Sequence, residues 1–489
     1  MASNKLYIFG IGGTGSRVLK SLTMLLASGV ECGVDTIVPI VIDRDMSNHD
    51  LTRTKTLIEN YIAVNNIAPK EDSQKGYKNR FFNTQIELLN NELCLQLKDN
   101  TQKFNEFIGK DTMSSENKAL VDILFSKETL ELDMTEGFQG NPNIGSVVLN
   151  QFDDSDIFKA FANDFKDGDR IFIISSIFGG TGASGFPLLR KVLQTPNQKD
   201  ADGQPLANWG LVNKAPIGAI SVLPYFNVGA ATDNSLVNSD TFIDKSKAAL
   251  SYYKTEDKKL DTLYYIADTN TTTYEHHKGG DEQKNNAHFV ELAAAMSILD
   301  FVNPQLQQKN IHRKDDKIES TTYKEFGISA NVSEIGFANL EDESQKMLIN
   351  PLSRFLLFRN YMQFVFEKER KYQPYAHRRF NEDFRKKNSI KKLESLQSSF
   401  FTWLREMENQ NRRFSPFNLS TNNAFDFVKG DISLITKPKW SDNIRYKNWA
   451  RVDNELNRQI SKTDKALGNE SRFLELFYRA TESLINFKS

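Results

Sequence analysis

Cysteine is almost missing from this chain. Cys32 and Cys94 are its only two, too few for a disulfide framework or a cysteine-rich zinc site, and in keeping with a reducing cytosol. Net charge is also missing: 62 Lys and Arg stand against 63 Asp and Glu, so no global field draws the protein to nucleic acid or to a membrane. No apolar run approaches the roughly 18–20 residues of a membrane span. The first residues pass straight into a strand pattern, without the basic-then-apolar segment of a secretory signal. These absences set the expectation of a soluble, cytoplasmic protein. The length of 489 residues suggests two or three domains at ~100–200 residues each.

Glycine, by contrast, is placed with intent. Ile171 to Ile174 is a short β-branched run that reads as a buried strand. It empties into Gly179-Gly180-Thr181-Gly182-Ala183-Ser184-Gly185, after which Leu188, Leu189, Val192 and Leu193 recur at helical spacing. A strand, a glycine loop and a helix start aim unpaired backbone N–H groups at one point, which suits a phosphate. The same unit occurs at the start of the chain. Lys5 to Phe9 reads as a strand, Gly10-Ile11-Gly12-Gly13-Thr14-Gly15-Ser16 follows, and Val18, Leu19, Leu22, Leu25 and Leu26 mark a helix. One such loop is a weak motif; two with a Gly-Gly-Thr-Gly core favour a phosphate ligand over glycines placed for packing alone. A third glycine loop, 137–145, has no strand before it.

Between these units, Thr36 to Ile42 reads as a second strand, ending at Asp43-Arg44-Asp45. Acids at the end of a strand beside a phosphate loop meet sugar hydroxyls or a metal, or else cap the turn into the next helix. Residues 65–136 read as a polar, helical insertion, and Ile157, Phe158, Phe161 and Phe165 as a helix leading to the strand at 171. Further strands are expected at 215–223 and 263–267, so strands alternate with helices and imply a parallel sheet covered on both faces. His276 and His277 lie in a polar loop with no partner at metal-ligand spacing, so no metal site is read there. Residues 285–301 read as a strongly apolar helix with an asparagine cap and core residues Phe289, Leu292, Ala293, Met296 and Leu299, flanked by His288 and Glu291. After a connecting segment at 306–345, residues 346–489 read as mainly helical, broken near Pro374, Pro416 and Pro438. Residues 351–400 carry 12 Lys and Arg against 5 Asp and Glu, either a solvated face or a partner surface.

The order of these loops resembles the tubulin/FtsZ superfamily. Gly140-Asn141-Pro142-Asn143-Ile144-Gly145 is similar to that family's Gly-Ala-Asn-Pro-x-x-Gly loop, and residues 179–185 to its signature glycine loop, with Phe178 in place of the first signature glycine. The resemblance covers residues 5–305. It implies an α/β, Rossmann-like nucleotide-binding domain with a long central helix at 285–301, here followed by the helical C-terminal region. It implies GTP or GDP as ligand, with Mg2+ as a candidate companion ion. Phosphates would meet Gly12, Gly13, Thr14, Gly15, Ser16, Gly140, Asn141, Gly179, Gly180, Thr181, Gly182, Ala183, Ser184 and Gly185. Asp43 or Asp45 would meet the ribose or a magnesium-bound water, and Asn286 the base. In the family, acids after the central helix activate water on the next subunit's nucleotide. Here the corresponding segment offers Asp300 and, further on, Asp315 and Asp316, so Asp300 is the catalytic candidate. Self-association into a filament or oligomer is implied, as are protein partners for the C-terminal region.

Two other readings stay open. Asp43-Arg44-Asp45 with Ser47-Asn48 and Arg53 also resembles ThiF/ubiquitin-activating adenylating enzymes, although the spacing is short, no Cys-x-x-Cys pair exists, and residues 137–145 and 179–185 have no role there. The third is a nucleotide-binding scaffold without turnover.

Overall fold

A computed structural model describes residues 4–97, 102–200, 202–229, 241–255, 259–269, 272–275, 284–314, 316–327, 331–429 and 448–487. Its principal elements are β1 (Lys5–Ile11), α1 (Gly12–Ser28), β2 (Thr36–Ile42), α2 (His49–Asn65), β3 (Gln85–Ile86), α3 (Pro142–Val148), α4 (Asp156–Asp164), β4 (Arg170–Ser176) and α5 (Gly180–Leu193). They continue with β5 (Ile217–Val222), α6 (Phe242–Thr255), β6 (Thr262–Ile266), α7 (Phe289–Val302), β7 (Thr322–Phe326), α8 (Asp342–Tyr361), α9 (Asn388–Glu408), α10 (Trp449–Gln459) and α11 (Asn469–Leu484).

The strands form a seven-stranded, wholly parallel sheet in the order β7-β6-β5-β4-β1-β2-β3. Successive side chains alternate between its faces. Leu6 and Ile8 of β1 enter one core, with Phe172 and Ile174 of β4; Tyr7, Phe9 and Ile11 enter the other, with Ile171 and Ile173. Both sets are wholly buried, as a sheet covered on two sides requires. The first face carries α1, α2, α7 and the C-terminal helices; the second carries α4, α5 and aromatic residues such as Phe158 and Phe161. Phe161 sets its edge against the Phe9 ring at 5.1 Å.

The chain runs from β1 to β2 in one direction across the sheet and from β4 to β5 in the other. The helices leaving β1 and β4 therefore cover opposite faces, and a crevice opens between the two strand ends. Open α/β sheets bind their ligands at this kind of switch in strand order.

Pro39 explains an irregular edge. It lies in register with Ile8 inside β2. Ile37 accepts a backbone hydrogen bond from Glu87, and Val41 donates one to Leu93, so odd positions of β2 point away from β1. The N–H that Pro39 lacks falls in the interval between them, and β3 stops at Ile86.

Several expectations change. Residues 65–136 form mostly turns, with Ser115–Leu124 the longest helix among the described residues of that segment. Their apolar residues Phe81, Phe82, Leu93 and Leu95 anchor single points of loop to the two cores rather than building one helical stripe. The segment 306–345, read as a connection, contributes the edge strand β7. The central helix begins at Phe289, later than expected, with His288 as its cap in place of an asparagine. His288 Nδ1 accepts from the Val290 N–H at 3.1 Å, and the Glu291 carboxylate accepts from the His288 N–H at 3.2 Å. His276, His277, Asp315 and Pro438 lie outside the described residues. No helix among the described residues is long and apolar enough to cross a membrane.

The C-terminal helices share a core with the sheet. Phe358 of α8 stacks on Phe81 at 5.7 Å and on Phe477 of α11 at 4.3 Å. Trp403 of α9 donates its indole N–H to Ser21 Oγ of α1 at 3.1 Å. Phe355, Phe358, Tyr361 and Phe366 are buried, while Phe364 is partly exposed. Phe358→Ala should cost about 3–5 kcal/mol, since it opens a cavity at a fully buried ring. Because that ring joins both parts of the chain, denaturant unfolding followed by tryptophan fluorescence and by circular dichroism should keep coincident midpoints. Separate transitions would show two independent units.

Candidate functional site

Three glycine-bearing turns meet at the crevice between β1 and β4. α1 starts at Gly12 and α5 at Gly180, and neither has a side-chain cap or an acid in its first turn. Their first N–H groups are thus left to an external acceptor, and each helix presents its positive end. Gly12 has a φ of +69°, which favours glycine, and a Cβ built there would lie 3.3 Å from Thr181 Cβ. A Cβ on Gly180 would lie 3.0 Å from the backbone nitrogen of Asn141. The three loops therefore touch one another. They line one cavity of about 190 Å3, with Gly12, Gly13, Thr14, Asp43, Asp45, Gly140, Gly179, Gly180, Thr181 and Gly182 in its walls.

Other expected residues stand behind that wall. Asn141 is one step back, its backbone N–H bonded to Phe138 at 2.8 Å. Gly15 closes α1 onto the β1 end, where a Cβ would meet Gly10 carbon at 2.4 Å. Ser16 is fully buried with no partner for its hydroxyl. Ser184 packs on Gly145 and donates to the Gly180 carbonyl at 2.7 Å. Gly185 abuts Ile11, and the Ala183 carbonyl accepts from the Tyr253 hydroxyl at 3.0 Å. The end of each glycine motif thus seats a helix on the sheet, and its beginning faces the cavity. Gly182 does both: a Cβ there would lie 2.3 Å from the Ser176 carbonyl oxygen.

Asn286 is exposed and does not line the cavity; the lining residue is its neighbour Asn285. Residues 284–288, before α7, are not helical, so the residue that reaches the cavity is one earlier than expected. Beside Asn285 stands an aromatic wall of Phe178, Phe226, Phe242 and Tyr274. Phe178, which occupies the place of a signature glycine, packs on Phe242 at 5.1 Å and Phe226 at 5.5 Å. Val228 and Glu275 complete this side of the lining.

Burial, followed by the nearby Asp45, pushes the Asp43 carboxyl up to about 7. Asp45 accepts from the Ser47 hydroxyl at 2.9 Å. Asn48 caps α2, accepting from the Asp50 N–H at 2.9 Å. Among the described residues, no group of three or more His, Cys, Asp and Glu could hold a metal.

Asp300 lies elsewhere. α7 spans 14 residues, about 21 Å at 1.5 Å per residue, and Asp300 sits near the end away from Asn285. It lines a second cleft of about 1530 Å3, pairs with Lys324 at 2.6 Å and accepts from the Tyr264 hydroxyl at 2.5 Å.

Sequence reasoning passed over Arg17. This arginine lines the cavity but is only 4% exposed. Its guanidinium donates to Glu291 at 2.7 Å and to the Tyr225 hydroxyl at 2.9 Å, with longer contacts to Thr14 at 3.4 Å and Asp50 at 3.5 Å. An arginine one turn into a buried helix, directly after a glycine loop, was the available signal.

No protein-family model matches the sequence, and no curated protein matches it. Solved structures similar to the chain include two CetZ proteins. The GTPγS-bound protofilament of CetZ2 from Haloferax volcanii is 14% identical, with a TM-score of 0.28 over 61% of this chain and 60% of that one. CetZ from Methanosaeta thermophila strain DSM 6194 is 15% identical, with a TM-score of 0.25 over 63% of this chain and 52% of that one. In both cases the match spans less than two thirds of the other chain's length.

Proposed function

We propose that this chain is a tubulin-like protein that binds a guanine nucleotide between Gly12–Thr14, Gly137–Gly140 and Gly179–Gly182. One observation carries the reading: two uncapped helix starts and a third glycine turn, far apart in sequence, face one cavity. Backbone donors and helix dipoles there favour the phosphates. The faces of Phe226 and Tyr274 suit a base, and the Asn285 amide offers it both a donor and an acceptor. Asp43 and Asp45 would orient waters around Mg2+, with phosphate oxygens completing its shell. A cavity of about 190 Å3 is below the ~300–1,000 Å3 of most ligand sites, which suits the phosphate end of the ligand best.

Hydrolysis and self-association belong together in this reading. In this reading Asp300, at the far end of α7, would act on the nucleotide of a neighbouring copy rather than on its own. The wild type should then release phosphate from GTP at a rate that rises steeply with protein concentration, and Asp300→Ala should remove that dependence. An unchanged profile would take Asp300 off the catalytic list. Bound GTP without release would favour a scaffold, and pyrophosphate release from ATP an adenylating enzyme.

Gly13 gives the direct test of the cavity. It is half-buried with an ordinary φ, and a Cβ there meets nothing nearer than Arg17 Nη1 at 3.5 Å. Gly13→Glu should keep the thermal midpoint, since an acid suits a helix start. It should weaken GTP binding by calorimetry on the order of 100-fold, because the carboxylate takes the phosphate position. Unweakened binding in a folded variant would place the nucleotide elsewhere.

Asp43 gives a pH signature. Its folded-state pKa of about 7 exceeds the ordinary ~3.9, so the nucleotide-free protein loses stability as pH rises from about 4 to 7. Asp43→Asn should match the wild-type thermal midpoint near pH 4, gain on it through that interval by a few degrees, and hold a constant lead above it. Parallel melting curves at every pH would show that Asp43 is ordinary in the folded state.

A further inference from the structure

Arg17 is one of six charged side chains that join the cavity to the C-terminal helices. Three are cations, Arg17, Lys20 and Arg53, and three are carboxylates, Asp50, Glu291 and Glu406. Arg53 is 21% exposed and the other side chains less than a tenth. Their charges cancel, as a buried set must arrange. Asp50 accepts from Arg53 at 2.7 Å and from the Asn285 N–H at 3.2 Å. Arg53 reaches on to Glu406 of α9 at 2.7 Å, and Lys20 reaches the same carboxylate at 3.2 Å. Burial opposes the Glu406 charge, but Lys20 and Arg53 hold its carboxyl below the ordinary range.

The end of α9 also grips the segment that lines the cavity. Glu406 accepts from the Ala287 N–H at 2.9 Å, and Gln410 donates to the Ala287 carbonyl at 3.0 Å and to the Tyr274 hydroxyl at 3.2 Å. Tyr274 and Asn285 are themselves cavity walls. An ionic route and a backbone route, which share the Glu406 carboxylate, therefore connect α9 to the cavity.

The Arg17 contacts are unequal. Glu291 and Tyr225 hold it at 2.7 and 2.9 Å, whereas Asp50 and Thr14 stand at 3.5 and 3.4 Å. Nη1 also stands 3.5 Å from the position of a Cβ on Gly13, beneath the start of α1. An anion seated on that helix start competes with Asp50 for Nη1 and meets little resistance. Asp50 then closes more fully on Arg53 and Asn285, and Arg53 shares less of itself with Glu406. Geometry of this kind points to Arg17 as a phosphate-binding residue whose engagement is transmitted through Asp50 and Arg53 to Glu406, so that α9 registers whether nucleotide is bound. This inference rests on the nucleotide reading and names the regulation of that site.

Hydrogen–deuterium exchange on the full wild-type chain, with and without GTPγS and with binding followed by calorimetry in the same samples, tests it. Exchange should change at the Ala287 amide and across residues 400–412, as well as in the glycine loops. Changes confined to residues 12–16, 137–141 and 179–182 in a sample that binds nucleotide would overturn the relay and leave the nucleotide reading intact. Absence of binding would overturn both. By reciprocity, breaking the far end must weaken the ligand. Glu406→Gln should weaken GTPγS binding on the order of tenfold, within the span of ordinary coupling. That variant strands Lys20, so the pair Lys20→Met with Glu406→Met removes both charges together and leaves Arg53 paired with Asp50. The folded double variant should show the same loss, and wild-type affinity in it would refute the coupling.

Discussion

Adjacent parallel strands that hand their chains off in opposite directions impose the constraint from which the rest follows. β1 and β4 are paired in register from Leu6↔Arg170 to Gly10↔Ile174, so their ends open at the same level. Helices α1 and α5 then leave for opposite faces, and their starts remain side by side. Two helix dipoles pointing into one crevice repel each other's positive ends unless an anion or its equivalent lies between them. Gly12 and Gly180 let the turns come into contact, and the loop at 137–141 closes the third side. The crevice is thus a product of topology first and of glycine second.

Asp43 and Asp45 add a second constraint. They bring negative charge to the rim of a cavity whose floor is positive, and burial raises Asp43 to about 7. A phosphate ligand and these acids are compatible only if a proton or a cation screens them. Arg17 contributes on the other side, already committed to two carboxylates. The one cationic side chain among the described residues of the cavity wall is thus already paired, while Asp43 and Asp45 stand opposite it.

Much of this was legible in the sequence because strand–glycine–helix units are local. Leu6 to Phe9 and Ile171 to Ile174 are buried on both faces, so their continuous apolar runs identify central strands without tertiary information. Edge strands leave no such trace. β7, Thr-Tyr-Lys-Glu-Phe, is amphipathic and half-exposed, and β3 is two residues long. Within the glycine loops, motif membership could not separate residues that face the cavity from residues that seat a helix: Gly13 and Gly185 look equivalent until Ile11 is seen against the latter. Asn286 gave way to Asn285 because residues 285–287 lie outside the helix, with the Asn285 and Ala287 N–H groups bonded to Asp50 and Glu406. Those partners lie more than a hundred residues away along the chain, beyond any local pattern.

Trp403 has one more implication. Its indole is tied to Ser21, little more than one turn beyond the glycine loop that opens α1, and its ring fills the same core as Leu22 and Leu25. A tail anchored so close to the glycine-lined cavity cannot be exchanged as an interchangeable module. Any recombination that brought in a foreign tail would have to bring a matching α1 and α2 with it, so the two halves of this chain are bound to diverge in concert.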